Sequence, residues 1–148
     1  MKRKHLLLFI LGLILGIIIF ICWNYRERPL ISLLPEEEMT KCVSSGYHDE
    51  LGLPVEGAIP KKTVLELFDS AVVRKGTKAL AMPSPCFEIK ATYGSEMYLV
   101  VVGADNKVSV APVDDLDSRS FWNDVNGTLF EELYHSHLQN GGEKFTID

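Results

Sequence analysis

The pair of residues most capable of chemistry in this sequence is Glu131 and His135. On a helix, two residues four positions apart share one face, so this carboxylate and this imidazole would lie side by side. They could offer two ligands to a metal ion, or they could form an ordinary contact in solvent. His137 could not complete a metal site, because residues two apart on a helix point in directions about 200° apart. We therefore predict a solvated contact, with no metal site and no cofactor.

Two other clusters contain residue types that occur in active sites. Residues 48–50, His-Asp-Glu, combine acid and base side chains, but no recognisable nucleophile lies near them in the sequence. Asp114, Asp115 and Asp117 lie close together, without the looped spacing of a calcium site. The sequence also lacks G-x-S-x-G, S-x-x-K, H-E-x-x-H and C-x-x-C motifs. These observations predict solvated loops and identify no catalytic residue.

The chain has 3 cysteines, and one of them, Cys22, lies inside a long apolar segment. Cys42 and Cys86 are the remaining pair, and each lies in or beside a segment that we predict to be a strand. We predict a disulfide between them, because an oxidising exterior compartment permits one. In the chain-entropy model, closing a loop of this length contributes roughly 4 kcal/mol to stability. The alternative is two buried, unreactive thiols.

The elements that would position these residues begin with an apolar segment, residues 6–23. Its 18 residues are all apolar apart from Gly12 and Gly16. As a helix it would be about 27 Å long, close to the hydrocarbon thickness of a bilayer. We predict an uncleaved anchor in the lipid bilayer. The alternative is a cleaved signal peptide, but this segment is longer than a typical one, and no Ala precedes Ala58 to form an A-x-A cleavage site.

The two glycines of this segment have a spacing that favours contact between membrane helices. Gly12 and Gly16 are four residues apart, which matches the small-xxx-small pattern that lets two helices approach closely. They predict a helix-dimer face and a homodimer. The alternative is that they have no special role, because Gly is common in membrane helices.

Charge is distributed unevenly along the 148 residues, which have a net charge of −5. Residues 1–5 carry Lys2, Arg3, Lys4 and the amino terminus, against two arginines, Arg26 and Arg28, after the apolar segment. By the positive-inside rule, this bias places the N-terminus in the cytoplasm and residues 24–148 outside the cell membrane. Residues 24–148 contain 12 Lys and Arg against 20 Asp and Glu, a net charge of −8. This acidic domain argues against nucleic acid as a partner, because phosphate binding needs a basic surface.

The remainder of the chain predicts a stalk, residues 24–38, and an α+β domain, residues 39–148. The stalk is rich in Pro and Glu, whereas the domain shows strand and helix periodicity. Thr128 and Glu131 form a capping box before the last helix. We predict a small antiparallel β-meander that packs with two amphipathic helices. The expected helices cover 61–75 and the segment that begins at 129 and is stopped by Gly141 and Gly142. The expected strands cover 87–93, 97–102 and 107–111, with less regular strands at 39–44 and 119–124.

The central predicted strand, residues 97–102, is apolar on both of its faces. Its neighbours alternate between apolar and charged residues, so one apolar stripe must lie on an otherwise charged face of the sheet. We predict that Tyr98, Val100 and Val102, together with Trp122, form a contact surface for a protein partner or a second copy. Lysine stems or the last helix could cover the stripe instead, and the opposite stripe begins at Met97.

Two classes of function follow from this sequence. The first is a binding or regulatory module that a single-pass anchor presents outside the membrane. The alternative is a small membrane-anchored hydrolase with an unrecognised site. A cleft that holds His135 or His48 beside an acid and a hydroxyl group would favour the hydrolase, whereas a convex surface with one apolar patch would favour the binding module.

Overall fold

The computed structural model of the chain describes residues 2–47, 54–77 and 85–145. Helix α1, Lys2–Asn24, extends the predicted apolar helix towards the N-terminus. Every side chain from His5 to Trp23 is exposed, so the rest of the described chain covers no face of this helix. The helix is long and apolar enough to cross a membrane, with a mean hydropathy of 3.1. Apolar residues surround it completely, unlike the single apolar stripe of a surface helix.

The domain is built on a curled antiparallel sheet of eight strands within the described residues. The strands lie side by side in the order β1-β4-β8-β7-β6-β5-β2-β3. The α+β class and the central meander β5-β6-β7 are therefore confirmed. The strands are β1 (Arg28–Pro29), β2 (Met39–Tyr47), β3 (Pro54–Glu56), β4 (Val72–Lys75), β5 (Cys86–Tyr93), β6 (Glu96–Gly103), β7 (Lys107–Pro112) and β8 (Ser120–Asp124).

Two amphipathic helices, α2 (Lys61–Ser70) and α3 (Leu129–Gln139), pack together on one face of the sheet, here called the inner face. Alternate residues of β5 point into this core, because successive side chains of a strand point to opposite faces. The largest side chains of the core that are fully shielded from solvent include Phe68, Phe87, Leu30, Met39, Ile89, Leu129 and Leu133.

The register of β5 and β6 determines which stripe of β6 faces the helices. Val100 pairs with Ile89 and Val102 pairs with Phe87, so these two valines point into the helix-covered core. Leu99 and Val101 point to the outer face. They are also buried, in a second small cluster with Cys86, against which Tyr47 and Val113 pack. Both faces of the central strands are therefore covered.

The helix predicted over residues 61–75 is too long, because α2 ends at Ser70. Ala71 takes an extended conformation, and Val72–Lys75 forms β4 between β1 and β8. Val73 is fully buried there and pairs with residues on both neighbouring strands. Long-range pairing of β-branched residues therefore overrides a local pattern that fits a helix.

The predicted stalk, residues 24–38, is also corrected, because most of it belongs to the domain. β1 pairs with β4 at the edge of the sheet, and a 3₁₀ helix, Leu30–Leu33, follows it. Leu30 and Leu34 are buried in the core, and the Leu30 N–H donates to the Ala71 carbonyl at 2.8 Å. The domain therefore begins at Arg28, with only three residues between it and the end of α1.

Candidate functional site

An open groove lies between α3 and the hairpin that joins β6 to β7. It has a volume of about 680 Å³. The lining consists of the apolar residues Pro85, Ala104, Phe130 and Leu138, the polar residues Asn106, Glu131, Tyr134 and His135, and Gly127. Ligand sites commonly combine a largely apolar wall with a few polar groups in this way. The groove is therefore the candidate functional site.

Two turns shape one end of the groove, and both contain residues in the left-handed conformation. Asn106 has a φ of 64° and Gly127 has a φ of 70°. The Asn106 carbonyl accepts the Asp124 N–H at 2.8 Å, which joins the β6–β7 hairpin to the end of β8. Asn tolerates this conformation better than most residues, so Asn106 is a residue type that favours a turn at this position. Nothing local in the sequence brings this turn beside α3.

The carboxylate of Asp124 fixes the start of α3. Its Oδ2 accepts the Leu129 N–H at 2.9 Å, and its Oδ1 accepts the Asn126 N–H at 3.2 Å. Thr128 precedes the helix but makes no side-chain capping bond, so the predicted capping box is wrong. A carboxylate from β8 replaces it, and its negative charge suits the positive end of the helix dipole. The strand thus positions the helix face that lines the groove.

The polar side of the groove contains Glu131, Tyr134 and His135. Glu131 and His135 lie one turn apart on α3 and both line the groove, as their spacing predicts. The Gln139 amide nitrogen lies 2.8 Å from His135 Nε2. The two side chains are therefore hydrogen-bonded to each other. The Tyr134 hydroxyl is shielded from solvent but has no hydrogen-bond partner among the described residues.

These groups can form hydrogen bonds and can exchange protons. None of the described residues that line the groove is Ser, Thr or Cys. Glu131 and His135 supply two metal ligands, and the described part of the chain contains no group of three or more. The Glu131 carboxylate and the His135 imidazole, beside an apolar wall, can hold a ligand through hydrogen bonds and burial, whereas the Tyr134 hydroxyl is shielded from solvent.

His137 lies on the opposite face of α3 and is completely buried. Its Nδ1 accepts the Ala58 N–H at 3.1 Å, and its Nε2 donates to the Glu143 carbonyl at 2.8 Å. A ring that accepts at Nδ1 and donates at Nε2 is neutral. Phe87 and Phe145 pack their rings against it with centroids 5.6 and 5.5 Å away. This histidine therefore joins three segments of the domain and is not part of the groove.

The last position of the buried stripe of α3 differs from the predicted one. The predicted stripe ended at Leu138, but Leu138 is exposed and lines the groove. His137 occupies the buried position instead, seven residues after Phe130 and four after Leu133. A periodicity that counts only apolar side chains cannot detect a histidine whose two nitrogens are both satisfied by backbone groups.

The predicted partner surface is wrong. Val100 and Val102 are buried under the helices, and Trp122 is buried in the same core. Tyr98 packs against that core and is only partly exposed. The last helix thus covers this stripe together with α2, as one of the alternatives held. Of the opposite stripe, only Met97 is substantially exposed.

The predicted disulfide between Cys42 and Cys86 is also wrong, because both thiols are free. Cys42 pairs with Ala91, whereas Cys86 pairs with Tyr47, so the two cysteines are five positions apart along the β2–β5 ladder. That separation is roughly 17 Å, and a disulfide needs Cα atoms within about 7 Å. They also lie on opposite faces of the sheet.

The alternative to the disulfide was a pair of buried, unreactive thiols; Cys86 is buried, whereas Cys42 is only half-buried. Desolvation raises the pKa of Cys42 to about 11, and the positive charge of Lys61 offsets part of the increase. Desolvation likewise raises the pKa of Cys86 to about 11, with further increases from the negative charges of Glu88 and Asp105. A high pKa keeps a thiol protonated at neutral pH, where the thiolate is the reactive form.

The remaining predicted sites lie elsewhere. Gly12 and Gly16 are on α1 with open space beside each of them, so the helix-dimer face stays a prediction. The three aspartates near residue 115 lie on the exposed connection between β7 and β8. Residues 48–50 lie outside the described residues, so the structure gives no information about them.

Comparison with known proteins gives no match: no family model, no curated protein sequence and no solved structure is similar to this chain.

Proposed function

We propose that this chain is a single-pass membrane protein that presents a small acidic domain outside the membrane as a binding module. In this proposal α1 is the uncleaved anchor, and the groove beside α3 is the ligand surface. The basic residues of 1–5 support the orientation, and the uniformly apolar surface of α1 supports the anchor. The observation that carries the binding role is the groove, where polar groups face solvent beside an apolar wall.

The chemistry of the groove favours a segment of a protein partner that presents an apolar side chain next to Lys or Arg. Leu138 is 40% exposed and offers apolar contact area, whereas Phe130 lines the groove as a buried residue of the core. Glu131 is exposed and makes no ion pair with another described residue, so its carboxylate is available to a cation. The net charge of −8 on residues 24–148 attracts basic ligands further.

A peptide-display experiment on the full-length protein in nanodiscs tests the binding role. Wild-type protein should enrich peptides that combine apolar and basic residues. Glu131→Lys should bind the enriched peptides at least about tenfold more weakly, a loss of about 1.4 kcal/mol. Glu132→Lys is the matched control, because Glu132 is the adjacent exposed acid on α3 but does not line the groove. Equal binding by the two variants would show that the groove is not the ligand surface.

Protease treatment of intact cells or protoplasts tests the proposed topology separately. Protease added from outside should remove the domain and leave a short membrane-bound fragment that contains residues 6–23. A domain that stays protected until the membrane is opened would reverse the orientation. A mature protein that lacks residues 6–23 would instead establish a cleaved signal peptide.

The hydrolase alternative rests on the same groove, which places His135 near an acid and a hydroxyl group. Against it, His135 Nε2 is engaged by Gln139, and no hydrogen bond joins His135 to Glu131 or Tyr134 among the described contacts. A panel of nitrophenyl esters and phosphates decides between the alternatives. Turnover by the wild-type protein that is lost in His135→Ala would favour the hydrolase, and its absence in both would favour the binding module.

A further inference from the structure

Four cationic side chains gather where α1 meets the domain: Arg26, Arg28, Arg74 and Lys75, here called the collar. Arg26 and Arg28 follow α1 in the chain, whereas Arg74 and Lys75 come from β4. Pairing of β1 with β4 brings these two sequence-distant pairs together, since Arg28 lies opposite Val73. The collar is therefore a product of the fold and is not visible as a basic run in the sequence.

Contacts with the end of α1 fix the position of the collar. Lys75 Nζ donates to Asn24 Oδ1 at 3.1 Å, which ties β4 to the last residue of the helix. Arg74 pairs with Glu27, which lies in the three-residue connection between α1 and β1. The Arg26 guanidinium lies 4.4 Å from the ring centroid of Trp23. Arg26, Arg74 and Lys75 therefore lie at the point where α1 ends, whereas the Arg28 guanidinium lies 5.2 Å from the ring centroid of Trp122 and is partly buried.

The collar separates the charge of the domain into two regions. With Glu27 included, the collar has a net charge of +3, although residues 24–148 together carry −8. The remainder of the domain therefore has a net charge of −11. Screening in physiological salt acts over about 8 Å, so a flat charged surface at the end of α1 would sense mainly the collar.

We propose that the collar binds the phosphate groups of anionic phospholipids and holds the domain against the membrane in one orientation. The proposal rests on the proposed function, because it requires α1 to lie in a bilayer. Trp23 and Tyr25 then lie at the depth of the headgroups, where aromatic side chains are enriched. The collar reaches the same layer, and the acidic remainder of the domain is repelled from it.

The energetics favour a lipid surface because several weak contacts act together. Each Lys or Arg at an anionic surface favours the bound state roughly fivefold. Arg74 already pairs with Glu27, so its contribution is smaller than that of a free cation. Arg26 and Lys75 hold single neutral contacts and keep donors for phosphate oxygens. Because α1 already holds the domain at the membrane, the collar needs only a low affinity for phospholipid headgroups.

Acetylation footprinting of lysines in the full-length protein in nanodiscs tests this proposal. Lys75 is the reporter, while Lys41 and Lys90, which lie on β2 and β5 four or more strands away from β4, are controls within the same molecule. Phosphatidylglycerol mixed into phosphatidylcholine should slow acetylation of Lys75 roughly fivefold relative to phosphatidylcholine alone. Acetylation of Lys41 and Lys90 should change less than twofold.

Variants sharpen the test. Arg26→Gln combined with Arg74→Gln should reduce the slowing of Lys75 to less than about twofold, since two of the charges that hold the collar are lost. Lys62→Gln is the matched control, because Lys62 also forms an exposed ion pair, with Glu66 at 3.7 Å, but on α2. It should leave the slowing of Lys75 unchanged.

Each outcome has one interpretation. Equal acetylation of Lys75 in the two kinds of nanodisc would overturn the collar proposal while leaving the anchor in place. Equal slowing of Lys75, Lys41 and Lys90 would also overturn it, because the effect would then be a general one. Failure of the chain to insert into nanodiscs would overturn the proposed anchor and the collar together.

Discussion

Helix α3 carries two histidines, His135 and His137, that differ in almost every physical respect. His135 is exposed, lines the groove and bonds to a side chain of its own helix. His137 is fully buried and bonds to the backbone of two other segments. The comparison shows that one helix both completes the core and forms the candidate site, with each task on its own face.

The largest expected effect separates the two histidines by stability. His137→Ala leaves a cavity and removes the partners of the Ala58 N–H and the Glu143 carbonyl, so we expect a loss of about 4 kcal/mol. His135→Ala, the matched control, should cost less than about 0.5 kcal/mol. Urea unfolding of the full-length protein in detergent, followed by tryptophan fluorescence, measures both. Similar losses for the two variants would remove the distinction between the faces.

The two leucines of α3 extend the comparison. Leu133 is fully buried, so Leu133→Ala should destabilise the domain by about 3 kcal/mol. Leu138 is 40% exposed, so Leu138→Ala should cost less than about 1 kcal/mol but weaken binding of the peptides selected on the groove. The same unfolding assay and a peptide titration measure these changes. A stable Leu133→Ala variant would contradict the assignment of the inner face.

Asp124 positions both faces of α3, because it caps the first turn. Asp124→Ala removes the acceptor of the Leu129 and Asn126 N–H groups, and we expect a loss of about 1.5 kcal/mol. Asp117→Ala changes an exposed aspartate and serves as the control. Hydrogen exchange should accelerate at the start of α3 in the first variant only. Unchanged exchange there would show that the cap is not needed.

A last expected effect is a dependence of stability on alkaline pH, contributed by one thiol on each face of the sheet. Both thiols have a pKa of about 11 in the folded protein against an ordinary value of 9.0. The folded state then binds more protons than the unfolded state between these values, so stability falls as the pH rises from 9 to 11. Below pH 9 the contribution is fully present.

Replacement of both thiols tests this expectation. In Cys42→Ala combined with Cys86→Ala, the fall in unfolding free energy across this pH range should be shallower than in the wild-type protein. Tyr93, whose pKa burial raises to about 12, contributes in the same direction and stays in both proteins. Parallel pH profiles for the two proteins would contradict the raised pKa of the thiols.

The part of the fold that sequence predicts well is the part held by neighbours in the chain. The meander β5-β6-β7 follows from alternation and from the turns between its strands, because each strand pairs with the next one. β4 was missed because Val72 continues the helical period of α2, and only pairing with the distant residues Arg28 and Asp124 makes the segment a strand. β1 is too short to have any local pattern.

In the candidate site, too, sequence predicts the contacts within one element and not the contacts between distant elements. The spacing of Glu131 and His135 predicts that they share a face, since both lie on one helix. Pro85 and Asn106 reach the groove from other elements, and their approach depends on the closing of the sheet. The error over Cys42 and Cys86 has a related cause. Whether two strand residues face each other depends on the register of the pairing. A shift of one residue moves each side chain of the strand to the opposite face of the sheet.

The three residues between α1 and β1 have a consequence for how the domain meets its partners. Three residues span at most about 10 Å, so a domain anchored by α1 cannot travel far from the bilayer. In the proposed topology the domain meets its partners only in a thin layer at the membrane surface. Its local concentration in that layer is set by the length of the tether and the area of the membrane. A diffusible ligand must enter that layer, whereas another membrane protein reaches the domain by lateral diffusion alone.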